Sequence, residues 1–375
     1  MTDDRMTDYP FHNANLPDDL TEVDASIDAG ADAPIDAGAD APDPTLVALR
    51  SGEAARASAT PDEAGDDDEG GPRPVIGDVV LAIDIGGTKM AVGLMTMQGE
   101  LIDREQIPVD HRLSADALFN SLHTLVNSQL ARARDHHRMR PIAVGVGCAG
   151  PIAKDGDTVS PLNIQVWREY PLRSRLVGAT SLPVHTDLDA KALALAEGWL
   201  GGAQGKDNFM AMVVSTGVGG GIVLNGQLLD GAEGNAGHIG HVIVEPNGRR
   251  CGCGSRGCLE AEASGKAIEA ITGRPASEPS YEIMQRTGRL VGHAVSSVCN
   301  LLDLDLVVVG GSVALGFGAT FFNSAQEALD EHSRLLYSRG ARISPARLGD
   351  QGPLLGAGAV AIRGLRRARK KARYR

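Results

Sequence analysis

The sequence predicts an α/β protein with two packed lobes, and three observations support this fold class. The chain has 375 residues, of which 42% are hydrophobic and only 3% aromatic, so it has enough aliphatic side chains for two cores. From Val79 onward, apolar segments of strand length alternate with helical patterns. Several of these segments end in a glycine-rich turn, which indicates a sheet whose strand ends form a binding edge.

The elements of the first lobe follow in order from Val79. VVLAIDIGG, MAVGLMTM and ELIDREQIPV predict three strands, and residues 115–134 have helical periodicity. PIAVGVGCAG predicts a further buried strand, in which Cys148 is expected to be a core residue. We expect residues 79–189 to form this lobe together with a C-terminal helix over residues 353–368.

The second lobe is expected to span residues 190–352. AKALALAEGWLGG predicts a helix, and FMAMVVSTGVGGGIVL predicts a strand, a turn and a second strand. LDLVVVGGSVA predicts another strand with a glycine ending, and Cys299 lies in an apolar helical context as a core residue.

Residues 1–78 form an acidic extension that we expect to be disordered. They carry 20 acidic and 4 basic residues, and they contain the octapeptide IDAGADAP twice in tandem, from Ile27 and from Ile35. Such a composition buries too little apolar surface to offset the loss of chain entropy on folding. An interaction tail and a start codon placed too early are the alternatives.

The charge of the remaining chain excludes little. Without the extension, 28 acidic residues face 32 basic ones, so the folded part is nearly neutral and gives no sign of a nucleic-acid partner. Residues 369–375 form a basic tail, for which contact with nucleic acid, with the acidic extension or with water alone are the options. No apolar run approaches the roughly 20 residues of a membrane span, and we expect a cytoplasmic protein.

One histidine and three cysteines form a candidate metal site: His241, Cys251, Cys253 and Cys258. Three thiolates and one imidazole are a ligand set of closed, tetrahedral structural zinc sites. Glycines among the cysteines allow the loop to fold back and bring the sulfurs within about 4 Å of one another. A disulfide and unliganded thiols are the alternatives. Zinc is favoured because the chain shows no secretory signal and three thiols cannot pair evenly.

Three glycine-rich turns at strand ends are candidate phosphate contacts. In the first, a carboxylate able to hold hydrated Mg2+ precedes two glycines, a hydroxyl and a cation. Neither the GxGxxG fingerprint after the first strand nor the P-loop pattern is present, so the predicted nucleotide site is of another kind. The candidate residues are Asp84, Gly86, Gly87, Thr88, Lys89, Thr216, Gly217, Gly219, Gly310 and Gly311.

The order of these motifs resembles the ROK family of sugar kinases and related repressors. DIGGTK, PLNIQVW, HTDLDAKALALAEGWLG, the STGVGGG to CGCGSRGC block and VVVGGS follow one another over residues 79–365. The most specific part is the glycine nest with its GH dipeptide and the CGCGxxGC segment.

This resemblance implies an actin-like ATPase fold of the sugar kinase and Hsp70 type, in which two α/β lobes close over a cleft. It implies ATP-dependent phosphorylation of a hexose or an N-acylated amino sugar, usually by homodimers or homotetramers. With Asp84 as the candidate Mg2+ ligand, we expect the reaction to use Mg2+. From the charge and the apolar runs described above, we expect no nucleic-acid or membrane partner. The resemblance assigns Asp187 as the catalytic base, and Asp189 fits a helix N-cap by position. The sugar contacts that it implies are Asn163, Asp187, His238, His241 and Glu260.

One position departs from the family pattern, because AGHIGH has His238 where most of the kinases have glutamate. A neutral histidine accepts one hydrogen bond and donates one, whereas glutamate only accepts, so the departure bears on the identity of the sugar. His238 is also an alternative zinc ligand, although His241 keeps the family's position. We expect glucose to be converted to glucose 6-phosphate, with N-acetylmannosamine and N-acetylglucosamine as the alternatives.

Two other functions follow from the same resemblance. A sugar-responsive transcriptional repressor is one, but residues before Val79 show no amphipathic helix pair with a basic recognition face. A sugar-binding pseudokinase is the other, and the presence of Asp84, Thr88, Asp187 and Thr216 argues against it.

Overall fold

The protein is built around two five-stranded mixed sheets, seen in a computed structural model that describes residues 75–154 and 156–373. Of the predicted acidic extension, residues 1–74 lie outside the described residues. The strands are β1 Gly77–Ile85, β2 Lys89–Thr96, β3 Leu101–Pro108, β4 Met139–Cys148, β5 Val184–Leu188, β6 Phe209–Val214, β7 Val218–Leu224, β8 Gln227–Leu228, β9 Leu306–Gly310 and β10 Arg342–Pro345. The helices are α1 Ala115–Asp135, α2 Leu172–Thr180, α3 Asp189–Leu200, α4 Leu259–Ala263, α5 Gly265–Thr272, α6 Tyr281–Leu302, α7 Ser312–His332 and α8 Gly352–Arg373, with short 3-10 turns at Ile239–His241 and Gly349–Gln351.

The two sheets have the same topology. The first has the order β3-β2-β1-β4-β5, and the second has the order β10-β9-β6-β7-β8. In each sheet the first strand along the chain pairs antiparallel with the second and parallel with the fourth. The hairpin turns β1–β2 and β6–β7 are therefore equivalent in the two sheets, and both are glycine-rich segments that the sequence singled out.

Apolar side chains fill three layers around these sheets. One core lies between the first sheet and α1, and a second packs α6 and α7 on the second sheet. The third lies between the sheets and contains α3 and α8. Serine residues cap the N-termini of two long outer helices. Ser114 accepts a hydrogen bond from the Ala117 amide at the start of α1, and Ser280 accepts one from the Ile283 amide at the start of α6.

The last described helix returns to the first sheet. α8 packs on β1, β4 and α3, and its first half is buried. Its basic end continues the helix as far as Arg373. The predicted strands and the predicted helix over residues 115–134 are present, and Cys148 and Cys299 are buried. Among the described residues, every helix is too short or too polar to cross a membrane.

Candidate functional site

A cleft of about 570 Å³ lies where the loops of the two sheets meet. All ten predicted phosphate-contact residues line it, as do Asn163, His238, His241 and Glu260. This volume lies in the range of small-molecule sites, about 300–1,000 Å³. The same cleft therefore brings together the predicted nucleotide contacts and four of the five predicted sugar contacts.

The β1–β2 turn contributes a buried carboxylate and a tight backbone turn. The Gly86 amide donates a hydrogen bond to the Lys89 carbonyl over 3.0 Å, which closes the turn. Asp84 is only 7% exposed, and its pKa is raised to about 7, mainly by burial and further by the neighbouring Asp189. A divalent cation bound here would offset both effects, because it would supply positive charge beside both carboxylates.

The β6–β7 turn and the β9–α7 turn lie side by side. The Ser215 amide donates to the Gly217 carbonyl, and the hydroxyls of Ser215 and Ser312 are 2.9 Å apart. Gly311 has a φ of 98°, and a Cβ at this position would overlap the backbone of Val214 in the neighbouring strand. Only glycine allows this close approach, which holds the second-sheet turns together at the cleft.

The structure does not bring Asp187 into the cleft, where a catalytic and sugar-contacting aspartate was expected. Successive side chains of a strand point to opposite faces, and Asp187 points to the face covered by α8. There its carboxylate pairs with Lys191 at 2.9 Å and with Arg363 at 3.3 Å.

Asp189 occupies the position in the cleft that was assigned to Asp187. It is the first residue of α3, and the N-cap position belongs to Leu188, so Asp189 does not have the capping role expected for it. Its Oδ1 accepts a hydrogen bond from the Ala190 amide over 2.7 Å. Burial raises the pKa of Asp189, and the nearby Glu260 adds to the effect.

Asn163 and Glu260 converge on the β6–β7 turn. Glu260 Oε2 accepts a hydrogen bond from the Val218 amide over 2.9 Å, and Lys266 Nζ donates to Asn163 Oδ1 over 2.8 Å. The Asn163 Nδ2 group lies beside Gly217. Asn163 and Glu260 line the cleft together with His238 and His241, so one polyhydroxylated ligand can contact all four.

One ring nitrogen of His238 faces a backbone carbonyl. Its Nδ1 lies 2.8 Å from the Asn235 carbonyl oxygen, which can only accept, so in the neutral ring Nδ1 donates and Nε2 is an acceptor beside Gly150 at the cleft wall. The ring stacks with that of His241 at a centroid distance of 5.9 Å. A histidine held in this way offers a neutral acceptor where a carboxylate would bring a charge.

His241 and the three cysteines form a compact donor set. Their four ligand atoms all lie within 4.8 Å of one another, with Cys251 Sγ 3.6 Å from His241 Nδ1 and Cys253 Sγ 3.7 Å from Cys258 Sγ. A tetrahedral zinc with bonds of about 2.3 Å to sulfur places its sulfurs about 3.8 Å apart, so the donor set fits this ion. The four cysteine and histidine groups are those singled out in the sequence, and His238 is not among them.

The loop that contains these cysteines is anchored beneath the cleft. Gly257 has a φ of 69°, and a Cβ there would overlap the Glu245 carbonyl. Buried Glu262 accepts hydrogen bonds from the Arg249 amide and from the Arg286 guanidinium, each over 2.6 Å. These contacts fix the loop on α4 and α6, next to Glu260.

Comparison with known proteins agrees with this geometry. The model of the ROK family matches residues 80–363. The chain belongs to the ROK family. The predicted resemblance and the predicted two-lobed α/β fold are thereby confirmed.

Three similar proteins have named activities or roles. The N-acetylmannosamine kinase of Haemophilus influenzae is 32% identical over 294 residues, covering 74% of this chain and 93% of the relative. A ROK glucokinase from Streptomyces griseus, solved with glucose and AMPPNP, is 27% identical with a TM-score of 0.67, covering 76% of this chain and all of that one. A ROK transcriptional regulator homologous to the E. coli MLC protein is 26% identical with a TM-score of 0.67, covering 78% of this chain and 79% of its own.

Three residues of this ROK site were missed in the sequence: Asp189, Lys266 and Glu262. A signal existed for Asp189, because the residue that follows a strand's last position lies at the sheet edge, where a ligand binds. No local pattern marks Lys266, whose contact with Asn163 spans 103 positions. Glu262 reads as an ordinary surface charge of a short helix, although it is 2% exposed.

Proposed function

We propose that this ROK protein is an ATP- and Mg2+-dependent sugar kinase that transfers the γ-phosphoryl group to a hydroxyl of a hexose, with glucose to glucose 6-phosphate as the leading reaction. The observation that carries the proposal is the set of groups that line one cleft. Glycine-rich turns from both sheets line it, and so do carboxylate, amide and imidazole groups suited to a sugar. Phosphoryl transfer requires these two sets at the same place, because the acceptor hydroxyl must meet the terminal phosphate.

In this proposal Asp189 is the base that receives the proton of the acceptor hydroxyl. Its carboxylate lies in the cleft, and its raised pKa makes it a better proton acceptor than an exposed aspartate. The fixed position at the start of α3 also orients the hydroxyl. Since the transition state of phosphoryl transfer is largely loose, orientation contributes as much as proton abstraction.

The triphosphate would be bound by backbone amides of the three turns, with Thr88, Lys89 and Thr216 adding side-chain contacts. Asp84 would hold Mg2+, which supplies positive charge against the charge that develops on the phosphate oxygens. Ser215 and Ser312 hold two of the turns in register through their hydroxyl contact.

The metal group at Cys251, Cys253, Cys258 and His241 is proposed to hold a structural zinc. Four protein ligands leave no open position for substrate, so the ion would stabilise the loop and take no part in the transfer. His241 also lines the cleft, so the same residue would connect the metal to the sugar side of the site.

Sugar choice is the finer part of the proposal. N-acetylmannosamine and N-acetylglucosamine are the alternatives to glucose, and the matched relatives include both an N-acetylmannosamine kinase and a glucokinase. We propose that His238 influences which sugar binds. In the neutral ring its Nε2 can accept a hydrogen bond from a hydroxyl or an amide without adding charge.

The test is ADP release by the purified full chain with Mg-ATP across a panel of aldohexoses and N-acetylhexosamines. We expect turnover with at least one sugar, and loss of that turnover in the Asp189→Asn variant. Absence of turnover across the whole panel would overturn the proposal. Size-exclusion chromatography of the same samples tests the proposed homodimer or homotetramer.

A repressor is the second candidate, because a transcriptional regulator shares the fold over 79% of its length. A gel-shift titration with the DNA upstream of the protein's own coding region separates the two functions. Specific binding that weakens with salt would favour the repressor, since phosphate contacts release counterions.

A further inference from the structure

A second cavity, of about 540 Å³, lies beside the cleft but shares none of its lining residues. The boundary between them runs through the end of β5. Leu188 and Asp189 line the cleft, whereas Asp187 lines the second cavity. The other described walls come from α3, α8, the segment that follows β8 and the loop before α2.

Three cationic side chains in this cavity share two carboxylates. Lys191, which is 1% exposed, lies 2.9 Å from Asp187 and 3.0 Å from Asp230. Arg363 is also nearly buried and lies 3.3 Å from the same two carboxylates, and Arg367 lies 3.1 Å from Asp230. The positive charge of this cluster therefore exceeds the negative charge by one.

Among the described residues that line the cavity, Lys371 increases this excess to two. It lines the cavity one helical turn beyond Arg367, and Arg363, Arg367 and Lys371 lie four residues apart on one face of α8. Two further cations on the opposite wall already have acids of their own outside the cluster. Arg173 pairs with Asp157, and Lys154 pairs with Glu233.

The pKa of Asp230 reflects the same excess of positive charge. Burial alone would raise the pKa of this carboxyl, but Arg363, Lys191 and Arg367 together lower it to about 2. The cluster thus favours negative charge strongly, although it already contains two carboxylates.

We infer that this cavity binds the dianion of a phosphomonoester. Such a group carries a charge of about −1.5 to −2 at neutral pH, which matches the surplus, and its three oxygens accept the charge-assisted hydrogen bonds that guanidinium groups form best. The volume has room for a sugar or another small group attached to the phosphate. The product of the proposed reaction, a sugar phosphate, belongs to this class, and that statement alone rests on the proposed function.

The test uses inorganic phosphate as the probe, titrated calorimetrically into the full chain with the cleft filled by Mg-AMPPNP. The double variant Arg367→Gln with Lys371→Gln removes two cations that face the cavity. The matched control, Arg369→Gln with Lys370→Gln, removes the same charge from the same exposed end of α8 at positions that do not line the cavity. Circular dichroism and thermal unfolding check that both variants fold.

We expect one phosphate per chain in the unchanged protein, at least about tenfold weaker binding in the cavity variant, and binding within about twofold in the control. Absence of phosphate binding, equal losses in the two variants, or full binding in the cavity variant would each overturn the inference. The single Lys371→Gln variant repeats the comparison if the double variant unfolds. Phosphate binding is measured without turnover. The titration therefore tests this inference even if no sugar in the panel is phosphorylated.

Discussion

Asp187 and Asp189 lie two positions apart, but their replacement by asparagine should have different effects. Asp189→Asn should reduce activity, and Asp187→Asn should reduce stability. Asp189→Asn keeps the shape of the side chain but removes the proton acceptor, so turnover should fall by about two to four orders of magnitude. Burial raises the pKa of Asp189, which means that the fold disfavours its ionised form. The melting temperature of this variant should therefore stay unchanged or rise.

Asp187→Asn should act on stability. Lys191 would lose one of three partners and keep Asp230 and the Gly234 carbonyl, both at 3.0 Å. The free energy of unfolding should therefore fall by about 1–3 kcal/mol. This is less than the roughly 3–5 kcal/mol lost when a buried charge is left without any partner. At about 2–4 °C per kcal/mol this lowers the melting temperature by several degrees.

The assay is turnover at saturating sugar and Mg-ATP, together with thermal unfolding of the same preparations. Turnover of Asp187→Asn should stay within about tenfold of the unchanged protein, since its carboxylate does not line the cleft. A hundredfold loss in Asp187→Asn with an unchanged melting temperature, and full activity in Asp189→Asn, would refute the assignment of the two aspartates.

Three further predictions concern the metal loop, the magnesium site and the phosphate turns. Cys253→Ser should reduce the zinc content, measured by elemental analysis, from one ion per chain to near zero. The variant should also have a higher sugar KM and a nearly unchanged ATP KM. Full zinc content in the variant would contradict this prediction. The apparent Mg2+ affinity should fall about tenfold from pH 8 to pH 6, because the pKa of Asp84 is raised to about 7 and protons compete with Mg2+ for this carboxylate below that pH. Equal Mg2+ affinities at pH 8 and pH 6 would argue against Asp84 as the Mg2+ ligand. Gly311→Ala should raise the ATP KM about tenfold or more, because its Cβ would overlap the backbone of Val214. Gly316→Ala, in open space within the helix that follows Gly311, should leave the ATP KM unchanged.

Local features of the site were predictable from the sequence. The four candidate metal ligands lie within a short stretch from His241 to Cys258, and chain connectivity alone keeps such donors near one another. The phosphate turns were visible for a similar reason, since each is a glycine-rich segment that directly follows an apolar strand. Their meeting in one cleft depends on the two sheets, which resemblance to the ROK family supplied.

Long-range partners were not predictable from local patterns. Asp187 and Arg363 are 176 positions apart, and nothing near either residue announces the other. Without that partner, an aspartate at the end of a strand reads as a catalytic residue. The two outermost strands of the second sheet were also missed. β8 has two residues and β10 has four, too few to show a period of two.

The return of α8 to the first sheet determines when that lobe can be completed during synthesis. β1 and β4 are among the first described elements, yet one of their faces is covered by the last helix of the chain. Until residues beyond Gly352 leave the ribosome, that face stays uncovered and is a surface on which chaperones would bind. A premature stop codon anywhere in the second lobe should therefore yield a product whose first lobe fails to mature, however complete its own segment is.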